Sequence, residues 1–126
     1  MLLYFKPGAC SLSSRIVLTE LGLPYKAVQV DTDAGTTENG TDYRTINPKG
    51  YVPVLELDNG TRITDAIGIC VYFEATHPQP PLMGESAEEK AVVTAWQRTL
   101  LVDAPLGQGK TRKRRLTIAA DRKSTR

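Results

Sequence analysis

A chain of 126 residues is one domain's worth of sequence, long enough to bury a single hydrophobic core. With 40% hydrophobic and 24% charged residues, only two cysteines and no apolar run near the roughly 20 residues of a membrane helix, a disulfide scaffold, a low-complexity chain and a membrane span are excluded. The net charge of +2 is unevenly divided: residues 1–100 hold 8 Lys and Arg against 12 Asp and Glu, and residues 101–126 hold 8 against 2, so the basic character belongs to the tail.

Met1-Leu2-Leu3-Tyr4-Phe5 is too short, too quickly closed by Lys6-Pro7-Gly8 and too lacking in a preceding basic region to read as a secretory leader. With no export signal read and only two cysteines, Cys10 and Cys70, a reducing cytoplasm is the expected setting. Leu2 to Phe5 reads as a buried strand ended by a turn. Ser11 to Leu21 carries no Gly or Pro, pairs Leu12 with Ile16 and Val17 with Leu21 at helical spacing, and meets stop signals at Gly22 and Pro24. Tyr25 to Val30 is a second strand, and strand–helix–strand with short links places its strands parallel. Asp31 to Gly50 is polar and reads as a loop, with one short helix near Asp42 to Ile46. Tyr51 to Leu57 and Thr61 to Ile63 flank Asp58-Asn59-Gly60, a strong hairpin signal. Ile67 to Phe73 is apolar almost throughout; a helix capped by Thr64 or Asp65 and running to about Thr76 is favoured over a buried strand.

His77-Pro78-Gln79-Pro80-Pro81 is a stiff connector. Ser86 and Glu89 form a capping box for a helix that carries Val92, Trp96 and Leu100 on one face. Beyond it the tail, with Arg112-Lys113-Arg114-Arg115, has too few apolar residues for a second core and is expected to be disordered. The expected organisation is a domain over 1–77, a linker over 78–85, a helix over 86–102 and a basic tail over 103–126. The expected fold class is α/β, a thioredoxin-like sandwich around a mixed four-stranded sheet.

Cys10 stands between a Pro-Gly turn and a helix start, where backbone N–H groups and the helix dipole favour a thiolate. Lys6 is close enough in sequence to assist. A small packed residue at a helix start is the competing reading. Cys70, inside an apolar run, reads as a core residue, and His77 as a solvated helix end. No Cys-x-x-Cys is present, so redox turnover would need an outside thiol. A cis bond before Pro53 would present the Val52 N–H and C=O to a peptide-like ligand, although residue statistics alone favour a trans edge proline. Asp65 is either a plain helix cap or part of a site. No metal-ligand cluster or phosphate-cradling loop is visible.

Together, Lys6-Pro7-Gly8-Ala9-Cys10-Ser11, Val30-Asp31, Asn47-Pro48-Lys49-Gly50, Val52-Pro53 and Thr64-Asp65 resemble the N-terminal domain of beta-class bacterial glutathione transferases, in register over about residues 1–83. The resemblance implies glutathione as co-substrate, no metal, a small electrophilic substrate and a homodimer, with neither membrane nor nucleic acid as partner. It implies a glutathione site of Cys10, Ser11, Val52, Pro53, Asp65 and Ala66, with Cys10 catalytic beside the glutathione sulfur. Val52 would hold the cysteinyl backbone ahead of a cis Pro53, and the γ-glutamyl end would lie at Asp65 and the helix start behind it.

Asp65 stands where the family usually has Glu, Ala66 where Ser is frequent, Gly35 where many members have a contacting Lys, and Tyr51 where Gln is frequent. Each lost contact weakens binding by about 1 kcal/mol or somewhat more. The family's all-helical second domain is represented here by its first helix alone, so the chain reads as a truncated member. Two alternatives to a conjugating transferase stand beside it: a glutaredoxin-like monothiol oxidoreductase using Cys10, and a non-catalytic glutathione-binding or interaction module.

Overall fold

The computed structural model describes residues 1–103, with side chains through residue 100. Leu2–Phe5 (β1) leads into Ser11–Glu20 (α1), Lys26–Asp31 (β2) and Thr36–Thr37 (β3). A single 3-10 turn over Tyr43–Thr45 precedes Val54–Glu56 (β4), Arg62–Ile63 (β5), Ala66–Thr76 (α2) and Ala87–Asp103 (α3). The strands form one sheet in the order β3-β2-β1-β4-β5. β1 pairs parallel with β2, Leu3 opposite Ala27, and antiparallel with β4, Leu3 opposite Leu55. The thioredoxin-like arrangement expected from the element order is present, on five strands rather than four. The extra strand is β3, whose two residues pair with Val30 and Asp31 inside the stretch read as loop. Two polar residues carry no periodic signal; their pairing follows from the adjacent turn, which returns the chain beside β2.

Alternation along β1 divides the interior. Leu3 points to one face, where Leu18 of α1, Leu55 of β4 and Ile69 and Phe73 of α2 close on it. Tyr4 points to the other, against Val30, Tyr43, Ile46, Val52 and Val54. The helices thus cover one face, and the loop carrying the 3-10 turn covers the other. Each fully buried side chain of this size contributes about 1.5–3 kcal/mol of apolar transfer. α1 stops as its sequence demands: Gly22 adopts φ +64° and the Leu23 N–H reaches back to the Leu18 carbonyl at 3.1 Å, closing the helix end. The β4–β5 hairpin turns on Gly60, at φ +84°. α3 opens on the expected reciprocal cap, with Ser86 Oγ accepting from the Glu89 N–H at 3.1 Å and Glu89 Oε2 accepting from the Ser86 N–H at 3.3 Å. Among the described residues no helix is long and apolar enough to cross a membrane. The expectation for the basic tail falls, after Asp103, outside the described residues.

Candidate functional site

The C-terminal end of β1 delivers the chain through Pro7-Gly8 to Cys10, the N-cap of α1. The turn is braced from inside by Ser11, whose fully buried hydroxyl accepts from the Lys6 N–H and donates to the Lys6 carbonyl, both at 3.1 Å. Ser11's side chain is therefore committed to the scaffold; what it leaves for the site is its backbone N–H, which favours the Cys10 thiolate.

Cys10 is half-buried, and its thiol donates to the Val52 carbonyl at 3.2 Å. The acidity expected from the helix start is not what the surroundings produce. Burial raises the Cys10 pKa above the ordinary thiol value, and the Asp65 carboxylate pushes in the same direction. The backbone N–H groups of Cys10 and Ser11 pull it down, without cancelling the rise. Nor does Lys6 assist: its ammonium donates to Thr32 Oγ1 at 2.7 Å and lies 3.8 Å from Asp33.

Val52 and Pro53 are buried and follow an exposed Tyr51; the bond between them is cis. The Val52 C=O faces the Cys10 thiol, while its N–H has no acceptor among the described residues. The third wall is the start of α2. Asp65 caps this helix with Oδ2, accepting from the Ile67 N–H at 3.0 Å and the Gly68 N–H at 3.1 Å. Two of the helix's first three donors are thereby taken. The Ala66 N–H is left without an acceptor among the described residues, next to a carboxylate whose other oxygen is free. The structure thus sets the Cys10 thiol on the Val52 carbonyl and brings Asp65, at the start of α2, near enough to act on that thiol electrostatically.

Elsewhere the chemistry is structural. Cys70 is buried in α2, with its pKa raised by that burial. His77 ends α2, its ring 6.1 Å from that of Phe73 and its Nδ1 2.9 Å from Thr76 Oγ1. Among the described residues no group of three or more His, Cys, Asp or Glu could hold a metal ion.

Two residues to which sequence reasoning gave no role, Asn47 being quoted only within a motif, stand directly behind Val52. Tyr43, from the 3-10 turn, and Asn47 both donate to the Tyr51 carbonyl, at 2.7 Å and 2.9 Å. The one signal for Tyr43 is an aromatic residue alone in a stretch of Gly, Thr, Asn and Asp.

Comparison with known proteins identifies the family. The family model described as "Glutathione S-transferase, N-terminal domain" matches residues 8–76. The chain belongs to the glutathione S-transferase N-terminal domain family. It is 46% identical over 83 residues to glutathione S-transferase GstA of Escherichia coli O157:H7, an alignment covering 66% of this chain and 41% of that protein. Its fold matches a beta-class glutathione S-transferase of Sphingomonas chungbukensis with a TM-score of 0.69 at 30% identity, over 88% of this chain and 60% of that one. It likewise matches a sphingomonad glutathione S-transferase complexed with glutathione, with a TM-score of 0.68 at 31% identity, over 88% and 60% of the two chains. The chain therefore spans about two-fifths of the curated relative's length. The matched span contains Cys10, the Val52–Pro53 step and the start of α2. Of the four positions at which the sequence departs from the resembled pattern, Asp65 and Ala66 lie at the start of α2, Tyr51 is exposed, and Gly35 occupies a turn at φ +72° that strains any side-chain-bearing residue.

Proposed function

We propose that the chain binds glutathione along the Cys10–Val52–Asp65 rim and transfers its thiolate to small electrophiles. What supports the reading is that the Cys10 thiol sits on the Val52 carbonyl with Asp65 near enough to oppose its ionisation, while the Val52 and Ala66 N–H groups have no acceptor among the described residues. A tripeptide needs those groups. Its cysteinyl carbonyl takes the Val52 N–H as an added strand would, its γ-glutamyl carboxylate takes the Ala66 N–H, and its ammonium meets the Asp65 carboxylate. Pro53 walls the groove below the cysteinyl unit, and Ser11 contributes its N–H near the sulfur.

Because burial and Asp65 keep Cys10 protonated at neutral pH, its role is hydrogen-bond donor. Turning from the Val52 carbonyl, the S–H donates to the glutathione sulfur and stabilises its thiolate, whose proton leaves to solvent. The thiolate then attacks an electrophilic carbon: a C–S bond forms, and the leaving group departs with the bonding electrons. A monothiol oxidoreductase would instead need Cys10 itself as the thiolate, which these surroundings oppose. The same reading implies a homodimer and a reducing, cytoplasmic setting in which the free thiols of Cys10 and Cys70 persist.

The test is calorimetric titration with glutathione, followed by steady-state conjugation to 1-chloro-2,4-dinitrobenzene. Saturable binding with turnover above the uncatalysed rate is expected. Undetectable glutathione binding would overturn the reading; binding without turnover would reduce the chain to a ligand-binding module.

A further inference from the structure

The structure assigns Tyr43 and Asn47 a joint role as positioning residues: they form a buried two-donor clamp that aims the Val52 N–H at the ligand. Both are deeply buried, Tyr43 at 0% and Asn47 at 3% exposure, and both donate to one oxygen, the Tyr51 carbonyl. A carbonyl oxygen has two lone pairs, so this acceptor is saturated. The Tyr51 C=O and the Val52 N–H belong to one planar trans-arranged unit and point in opposite directions. Holding the oxygen toward the interior therefore holds the N–H away from it, where it has no acceptor among the described residues.

The clamp is itself fixed. The Tyr43 ring lies 5.8 Å from that of Tyr4 on β1, and Asn47 Oδ1 accepts from the Lys49 N–H at 3.2 Å. Arg44, next to Tyr43, donates to the Pro48 carbonyl at 3.1 Å and so ties the 3-10 turn to the same loop. Burial also drives the Tyr43 phenol far above its ordinary pKa, so it stays a donor throughout the working pH range. Two donors on one amide oxygen draw electron density from the amide and make its N–H the stronger donor. The clamp thus prepays the ordering of the single backbone donor that an added peptide strand requires.

This inference rests on the glutathione reading, and the experiment separates the two. Tyr43→Phe deletes the hydroxyl and keeps the ring; Asn47→Ala deletes the other donor. Thr45→Ala serves as the control, since the Thr45 hydroxyl bonds the Asp42 carbonyl in the same turn without touching Tyr51. The readouts are the glutathione dissociation constant by calorimetry, well below the melting temperature, and the glutathione-induced shift of the Val52 amide by NMR. Each clamp variant should raise the dissociation constant about 3- to 10-fold, the equivalent of one hydrogen bond, and shrink the Val52 shift. Thr45→Ala should change neither by more than about twofold, well under one hydrogen bond's worth. Wild-type affinity and a full Val52 shift in either folded clamp variant would overturn the clamp and leave the glutathione reading standing. Equal weakening in Thr45→Ala would also overturn it, by showing a general loosening of the turn. Failure of the wild type to bind glutathione would remove both.

Discussion

The two helices that face the site begin in opposite ways. α2 is capped by Asp65, which takes the Ile67 and Gly68 N–H groups on its own carboxylate. α1 is capped by Cys10, which makes no side-chain capping bond at all. A helix N-terminus is therefore not a fixed quantity of positive potential. Where a carboxylate already occupies it, an arriving anion finds one remaining N–H and a like charge beside it. Where a thiol occupies it, the donors point at a group that can accept or decline the negative charge, and burial decides. Here the thiol declines, and the two helix starts act as a pair: one holds a charge, the other a proton that the charge helps to retain.

The comparison is broken most severely by removing the thiol. Cys10→Ala should lower kcat/KM for conjugation by about 10- to 100-fold, the equivalent of a hydrogen bond to a charged group at about 1.5–3 kcal/mol, with little change in melting temperature. Next in size is the brace behind α1. Ser11→Ala leaves the Lys6 N–H and carbonyl without their partner and should cost about 1–3 kcal/mol in denaturant unfolding. On α2, Asp65→Ala should cost about 1 kcal/mol as a lost N-cap, whereas Asp65→Asn keeps a good capping side chain and should cost a few tenths, roughly, in the same unfolding experiment. That contrast isolates the charge from the cap. The smallest effect sharpens the pairing itself: the rate of Cys10 alkylation by iodoacetamide should climb with pH to a midpoint above the ordinary thiol value of 9.0. Asp65→Asn removes a negative charge that opposes the thiolate, so the midpoint should move down and alkylation at neutral pH should quicken.

What the sequence made legible was local. The stop at Gly22, the Asn59-Gly60 hairpin and the Ser86–Glu89 box are each written in a few adjacent residues and appear as read, and of the two caps offered for α2, Thr64 and Asp65, the structure takes Asp65. β3 was invisible because Thr36 and Thr37 become a strand only through a partner brought alongside by the turn. The site divides along the same line. That Cys10 begins a helix is legible from Pro7-Gly8 and the residues after Ser11. Its acidity is not, because the largest influence on it is burial by the folded chain, and the Asp65 carboxylate that pushes the same way lies 55 positions away. Lys6, near in sequence, is engaged with Thr32 and Asp33 instead. The part played by Tyr43 and by Asn47, the latter visible only as one letter of a motif, is hidden for a related reason: they share an acceptor, and no sequence pattern shows two donors converging on one oxygen.

The central claim is that Cys10 acts as a proton-bearing donor to the glutathione thiolate. Its most direct test is a pH titration of bound glutathione by ultraviolet thiolate absorbance, in the wild type and in Cys10→Ala. The account predicts that glutathione bound to the wild type ionises at lower pH than free glutathione, and that most of this lowering disappears in Cys10→Ala. An unchanged glutathione titration in Cys10→Ala, or a wild-type signal at neutral pH that arises from Cys10 without glutathione present, would contradict it.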